Sequence, residues 1–169
     1  MNIRIHDIIS ESIVDGPGFR YVIFSQGCKH HCKECFNPST HDFKGGYLKD
    51  IDEILNEIKS NEELLRGVTF SGGDPFEQTK EFTELAKRIR QLNNNLDIWS
   101  YTGYTFEQII KDPDKLNLLK QLDVLVDGRF DINLKDETLF FRGSSNQRII
   151  DVQKSLKNNV IETLYFSKF

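Results

Sequence analysis

The chain has 169 residues, an apolar share of 38%, 28% charged residues and a net charge of −4, which fits one domain expected to span residues 1–169. The absence of a basic excess argues against nucleic acid as a partner, because a phosphate backbone is neutralised by clustered Lys and Arg. Residues 1–10 carry Arg4, His6 and Asp7 among their apolar neighbours, so a cytoplasmic location is expected, with neither a signal peptide nor a membrane span.

Residues 3–9 and 19–25 are rich in Ile, Val, Phe and Tyr and predict two strands, with the turn Asp15-Gly16-Pro17-Gly18 before the second. Ile51, Ile54, Leu55 and Ile58 then recur at helical spacing, and residues 68–71 predict a short buried strand. Phe82, Leu85, Ala86 and Ile89 mark a second helix, followed by a strand at 96–101. Thr105 and Gln108 are spaced as a capping box for a helix carrying Phe106, Ile109 and Ile110, and a short helix at 116–119 follows Pro113. Residues 122–127 predict another strand. A polar stretch follows, and then 148–152 and an apolar tail at 160–166 read as closing strands whose order the pattern does not set. Strands alternating with helices imply an α/β fold with a mainly parallel sheet, open or partly closed as a barrel.

In such a sheet the loops after the strands emerge on one side, where α/β proteins bind ligands. Four segments with unusual residues fall there: Cys28 to Cys35, Ser71-Gly72-Gly73-Asp74-Pro75, Ser100-Tyr101-Thr102-Gly103-Tyr104, and Asp127-Gly128-Arg129. The chain has only three cysteines, Cys28, Cys32 and Cys35. An odd and tightly clustered set is a poor disulfide framework, so ligation is the better reading. Two ligation chemistries stay open on the residues alone. Three thiolates can wrap one face of an iron–sulfur cubane and leave one iron without a protein ligand, or they can join His30, His31 or His41 in a zinc site that stabilises a non-catalytic binding module. Gly72 and Gly73 let the backbone approach a ligand closely, with Asp74 adding negative charge. Ser100 or Tyr101 is placed either to contact a nucleoside or to sit as a solvated loop residue. Arg129 is suited to a ligand carboxylate, and Asp127 to orienting Arg129 or meeting a ribose hydroxyl, while each fits a solvated loop position equally well. Arg142 and Arg148 fit an exposed or partner-facing surface equally well.

The Cys-x3-Cys-x2-Cys loop resembles the signature of the radical S-adenosylmethionine superfamily, and Gly-Gly-Asp-Pro is similar to its Gly-Gly-Glu motif. The run Val14-Asp15-Gly16-Pro17-Gly18-Phe19-Arg20 resembles the opening of enzymes that activate glycyl-radical proteins. Phe36-Asn37-Pro38, Tyr101-Thr102-Gly103-Tyr104, Val126-Asp127-Gly128-Arg129-Phe130 and Phe141-Arg142-Gly143-Ser144-Ser145-Asn146-Gln147-Arg148 are most similar to the activating proteins of anaerobic (class III) ribonucleotide reductases. The resemblance implies a partial (β/α) barrel holding one [4Fe-4S] cluster on Cys28, Cys32 and Cys35, with no catalytic side chain beyond these ligands. S-adenosylmethionine would bind near Gly72, Gly73, Asp74, Ser100, Tyr101, Asp127 and Arg129 and be cleaved reductively. The implied product is a glycyl radical on the large subunit of the reductase, with a flavodoxin-type protein as electron donor. An activator of another glycyl-radical enzyme, or a small-molecule synthase of the deazapurine pathway, would share the cluster and differ in substrate. Glu34 departs from the superfamily, which often carries an aromatic residue just before the third cysteine; here the aromatic is displaced to Phe36.

Overall fold

A computed structural model describes residues 1–166. The strands are β1 (Asn2–Ser12), β2 (Arg20–Ser25), β3 (Tyr47–Asp50), β4 (Gly67–Gly72), β5 (Asp97–Tyr101), β6 (Val124–Asp127) and β7 (Arg148–Asp151). They form one sheet in the order β3-β1-β2-β4-β5-β6-β7. The pairs β2/β4, β4/β5 and β5/β6 are parallel, whereas β1 is antiparallel to both β2 and β3, and β7 to β6. Five of the seven strands therefore run the same way. The expected mainly parallel sheet is present, with β3 and β7 as its two edges rather than a closed barrel.

Among the described residues five α-helices accompany the sheet: α1 (Ile51–Asn61), α2 (Thr79–Leu92), α3 (Phe106–Ile109), α4 (Pro113–Leu119) and α5 (Val152–Asn158). Their starts follow from capping chemistry. Asp50, Asp112 and Asp151 each accept a first-turn backbone N–H at the beginnings of α1, α4 and α5. The Thr105/Gln108 capping box is present in both directions at α3. Among the described residues no helix is long and apolar enough to cross a membrane.

The alternation of side chains along each strand divides the core in two. Tyr21, Ile23, Val68, Phe70, Ile98, Leu125 and Ile150 join Ile54, Phe82, Leu85, Ile89 and Leu118 of the helices in the larger cluster. Trp99, Val124, Val126 and Ile149 point to the opposite face, where Tyr101, Phe141 and Leu164 pack on them. Helices thus cover one face. The other is covered by loops, and that is where space is left for a site.

Two elements were not anticipated. β3 is four residues long with Tyr47 and Leu48 exposed, so it carries no buried stripe, and its pairing with β1 comes from tertiary contact. In α5 only Val152 and Ser155 are buried, too few to show a helical period. The expected strand at 160–166 is not one. That tail is fastened beside β7 by a single bridge between Ile150 and Thr163, with Leu164 N–H donating to the Ile149 carbonyl at 2.7 Å.

Candidate active site

The loops that follow β2, β4, β5 and β6 leave the same end of the sheet and surround a cavity of about 580 Å³ on the face opposite the helices. Its walls include Cys28, Cys32 and Cys35 from the first loop, Gly72 and Gly73 from the second and Tyr101 from the third. The three thiols are free of disulfides. Between Cys32 and Cys35 the chain makes a turn, with Cys35 N–H donating to the Cys32 carbonyl at 3.1 Å and Glu34 at φ 56°. That left-handed position suits a residue pointing out of the turn.

The sulfurs are surrounded by backbone donors. Asn37 N–H lies 3.4 Å from Cys35 Sγ. Burial pushes the Cys28 thiol up to about 11, opposed by backbone amides of His30 and His31. Burial also raises Cys32, against the backbone amide of Phe130 and the positive charge of Arg129. A buried thiol that already has N–H groups directed at its sulfur favours coordination to a metal, which supplies the missing positive charge. Among the described residues no three His, Cys, Asp or Glu side chains are arranged to hold a single metal ion. Three thiols on one cavity wall, with backbone N–H groups near their sulfurs, are a donor set that fits an iron–sulfur cluster.

Gly73 is fixed by close approach. A Cβ there would lie 2.6 Å from the Gly27 carbonyl and 2.9 Å from that of Thr40, so only glycine lets the segment after β4 lie against the cysteine loop. Asp74 N–H donates to the Gly27 carbonyl at 2.9 Å and Gly73 N–H to that of Ser25 at 2.8 Å, stitching the two loops together.

The remaining sequence-predicted residues divide. Tyr101 lines the cavity, whereas Ser100 is fully buried on the helix side, with its hydroxyl donating to the Tyr101 carbonyl. Alternation along β5 allows only one of the two to face the site. Asp74 is fully buried beside the cavity, with every hydrogen bond made inside the protein. Asp127 points the same way as Leu125, accepting from Phe106 N–H at 2.8 Å and pairing with Arg148 instead of Arg129. Arg129 is exposed, close enough to Cys32 to influence it and outside the cavity wall.

Sequence reasoning did not identify the wall opposite the strand ends. Phe130, Lys135, Phe141 and Arg142, from the polar stretch after β6, close that side, and Val14 with Asp15, at the start of the Asp-Gly-Pro-Gly turn, close another. Phe36 packs at a tilt against Phe130 with ring centres 4.8 Å apart, so the aromatic displaced from position 34 still reaches the site. Phe141, at φ 62°, packs edge-on against Trp99 at 5.5 Å. A left-handed aromatic residue is uncommon, and marks a loop held in place by its contacts.

A family model described as a 4Fe-4S single cluster domain matches residues 14–150. Curated proteins named anaerobic ribonucleoside-triphosphate reductase-activating protein are similar over most of the chain. That of Escherichia coli (strain K12) is 36% identical over 147 residues, covering 84% of this chain and 94% of the relative. That of Vibrio cholerae serotype O1 is 37% identical over 149 residues, covering 85% and 95%. The counterpart in Enterobacteria phage T4 is 37% identical over 140 residues, covering 80% and 86%. Among solved structures, QueE from Escherichia coli aligns with a TM-score of 0.48 and 17% identity over 62% of this chain and 54% of that one.

Proposed function

The chain belongs to the family of anaerobic ribonucleoside-triphosphate reductase-activating proteins with a 4Fe-4S single cluster domain, and on that premise we propose that it generates a glycyl radical on an anaerobic ribonucleotide reductase by reductive cleavage of S-adenosylmethionine. The observation that carries this reading is the grouping of all three cysteines, with no fourth in the chain, on one cavity that Gly72 and Gly73 also wall. A [4Fe-4S] cluster there would supply one electron, at the iron lacking a protein ligand, to break the sulfonium C–S bond into methionine and a 5′-deoxyadenosyl radical able to abstract an α-hydrogen from glycine.

The chain's own part is binding, orientation and exclusion of water. Cys28, Cys32 and Cys35 hold the cluster. The strand-end carbonyls near Gly72 and Gly73 accept from the ammonium of the methionine moiety. Tyr101, Phe36 and Phe130 give the cavity apolar surface for the nucleoside. Arg129, exposed beside Cys32, is available to the methionine carboxylate. In this reading residues 1–169 form one domain of the partial-barrel type and act in the cytoplasm. A reduced flavodoxin-type protein supplies the electron, and docking of the reductase subunit completes the closure of the site.

The test is anaerobic. Protein reconstituted with iron and sulfide is reduced, mixed with S-adenosylmethionine and the candidate reductase subunit, and examined by electron paramagnetic resonance. A glycyl radical on the subunit is the expected result. Cleavage without a radical on that partner assigns a different substrate, and stoichiometric zinc with no iron uptake rejects the cluster.

A further inference from the structure

His30 sits between Cys28 and Cys32, yet its side chain is directed into the protein, where only 2% of it is exposed. Its Nε2 is 2.7 Å from Asp74 Oδ2. Asp74 also accepts from Thr102 Oγ1 at 3.0 Å, Gly103 N–H at 3.0 Å and Phe76 N–H at 2.9 Å. One fully buried carboxylate therefore joins the loops that follow β2, β4 and β5. The imidazole packs edge-on against Tyr104 with ring centres 4.5 Å apart, and a Cβ on Gly103 would fall 2.4 Å from its Cδ2. His30 contributes to the cavity wall, while its Nδ1 is buried out of contact with that space and lacks a hydrogen-bond partner among the described residues. A buried unmet polar atom costs stability, so the placement of the ring rests on its bond to Asp74 and its packing on Tyr104.

We propose that His30 and Asp74 are a positioning pair, locking the cysteine loop to the Gly72–Gly73 strand end so that cluster and S-adenosylmethionine are presented in one fixed relation. Asp74 acts from beneath the cavity, through His30 and through the backbone it caps. The side-chain length is part of the design. An aspartate can cap Phe76 N–H and still reach His30, whereas a glutamate would carry its carboxylate one methylene further.

The inference rests on the proposed function, and its test separates the two. Wild type, His30→Gln, His30→Ala and Asp74→Asn are reconstituted anaerobically. Iron content, S-adenosylmethionine affinity and the change in the reduced-cluster resonance on adding S-adenosylmethionine are then measured. All four are expected to take up about four irons per chain. His30→Ala and Asp74→Asn should bind S-adenosylmethionine about tenfold or more weakly, with a diminished spectral change. His30→Gln places an amide donor near the Nε2 position and should bind within about threefold of wild type. Wild-type affinity in His30→Ala overturns the pair, as does a glutamine variant no better than alanine. If His30→Ala fails to fold, Asp74→Asn decides: unchanged affinity overturns the pair, and weakened affinity with intact iron upholds it. Wild type that takes up iron yet does not bind S-adenosylmethionine overturns the functional reading itself and this inference with it.

Discussion

The carboxylate of Asp127 is clamped by the guanidinium of Arg148, with Nη2 2.5 Å from Oδ2 and Nε 3.0 Å from Oδ1. The pair joins the end of β6 to the start of β7, and Arg148 also reaches Glu107 on α3. Asp127 is 1% exposed. Removing its partner strands a carboxylate that, among the described residues, retains only Phe106 N–H. Arg148→Ala should therefore lower stability by about 3 kcal/mol, and Arg148→Lys, which loses the fork, by about 1 kcal/mol. Urea unfolding midpoints check both; an alanine variant as stable as wild type would refute the clamp.

Each of Cys28→Ala, Cys32→Ala and Cys35→Ala should fall below the roughly four irons per chain expected of wild type and lose S-adenosylmethionine cleavage. Each thiolate is one of only three in the chain. Iron analysis and chromatographic measurement of 5′-deoxyadenosine are the readouts. Undiminished cleavage in any of the three would remove that residue from the ligand set.

The cluster-free protein should lose stability as pH rises from about 9 to about 11. The Cys28 thiol is raised from 9.0 to about 11 by burial, so the folded state holds its proton over an interval where the unfolded chain releases it. The stabilisation is full below the unfolded value and disappears as pH climbs through the folded one, by about 2–3 kcal/mol at most. Cluster loading demands the thiolates and removes the Cys28 share of this dependence, leaving that of the Tyr21, Tyr101 and Tyr104 hydroxyls, which burial also raises; loading is favoured at higher pH and releases protons. Thermal melts at pH 8 and pH 11, with and without cluster, test the sign. A cluster-free protein equally stable at both would contradict it.

Gly73→Ala should cost about 1–3 kcal/mol and weaken ligand binding. The new methyl would meet backbone carbonyls of Gly27 and Thr40, which cannot rotate away. The cysteine loop must then lift from the end of β4. Calorimetric titration with S-adenosylmethionine, set beside an unfolding curve, separates the two effects. Unchanged values in both would show that the loops are not packed as described.

Local signals made much of the fold readable. The capping box at Thr105 and Gln108 and the helical spacing of Phe82, Leu85, Ala86 and Ile89 depend on residues within a few positions of one another, and both are present. The cysteines and the glycine pair were legible because strand-end loops on one side of a parallel sheet must neighbour each other. The wall at 128–147 was not, because side chain to backbone bonds fix it with no hydrophobic period. Gln147 Oε1 accepts from Gly143 N–H at 2.9 Å and Ser144 N–H at 3.2 Å, while its Nε2 donates to the Gly128 carbonyl at 3.0 Å. The partner of Asp127 was likewise hidden, since Arg148 is 21 positions away and Arg129 only two.

The tail beside β7 also governs how the sheet behaves toward other chains. A free strand edge is a template on which a second molecule can extend the ladder. Along β7 the Ile149 carbonyl is taken by Leu164 N–H and Asp151 N–H is spent on the Glu162 carbonyl, so this border is already part occupied from within. The opposite border, β3, is only four residues long and carries Lys49 and Asp50, which discourages propagation. Both flanks of the sheet are thus poor in strand-pairing sites, one through its own tail and the other through its shortness and charge.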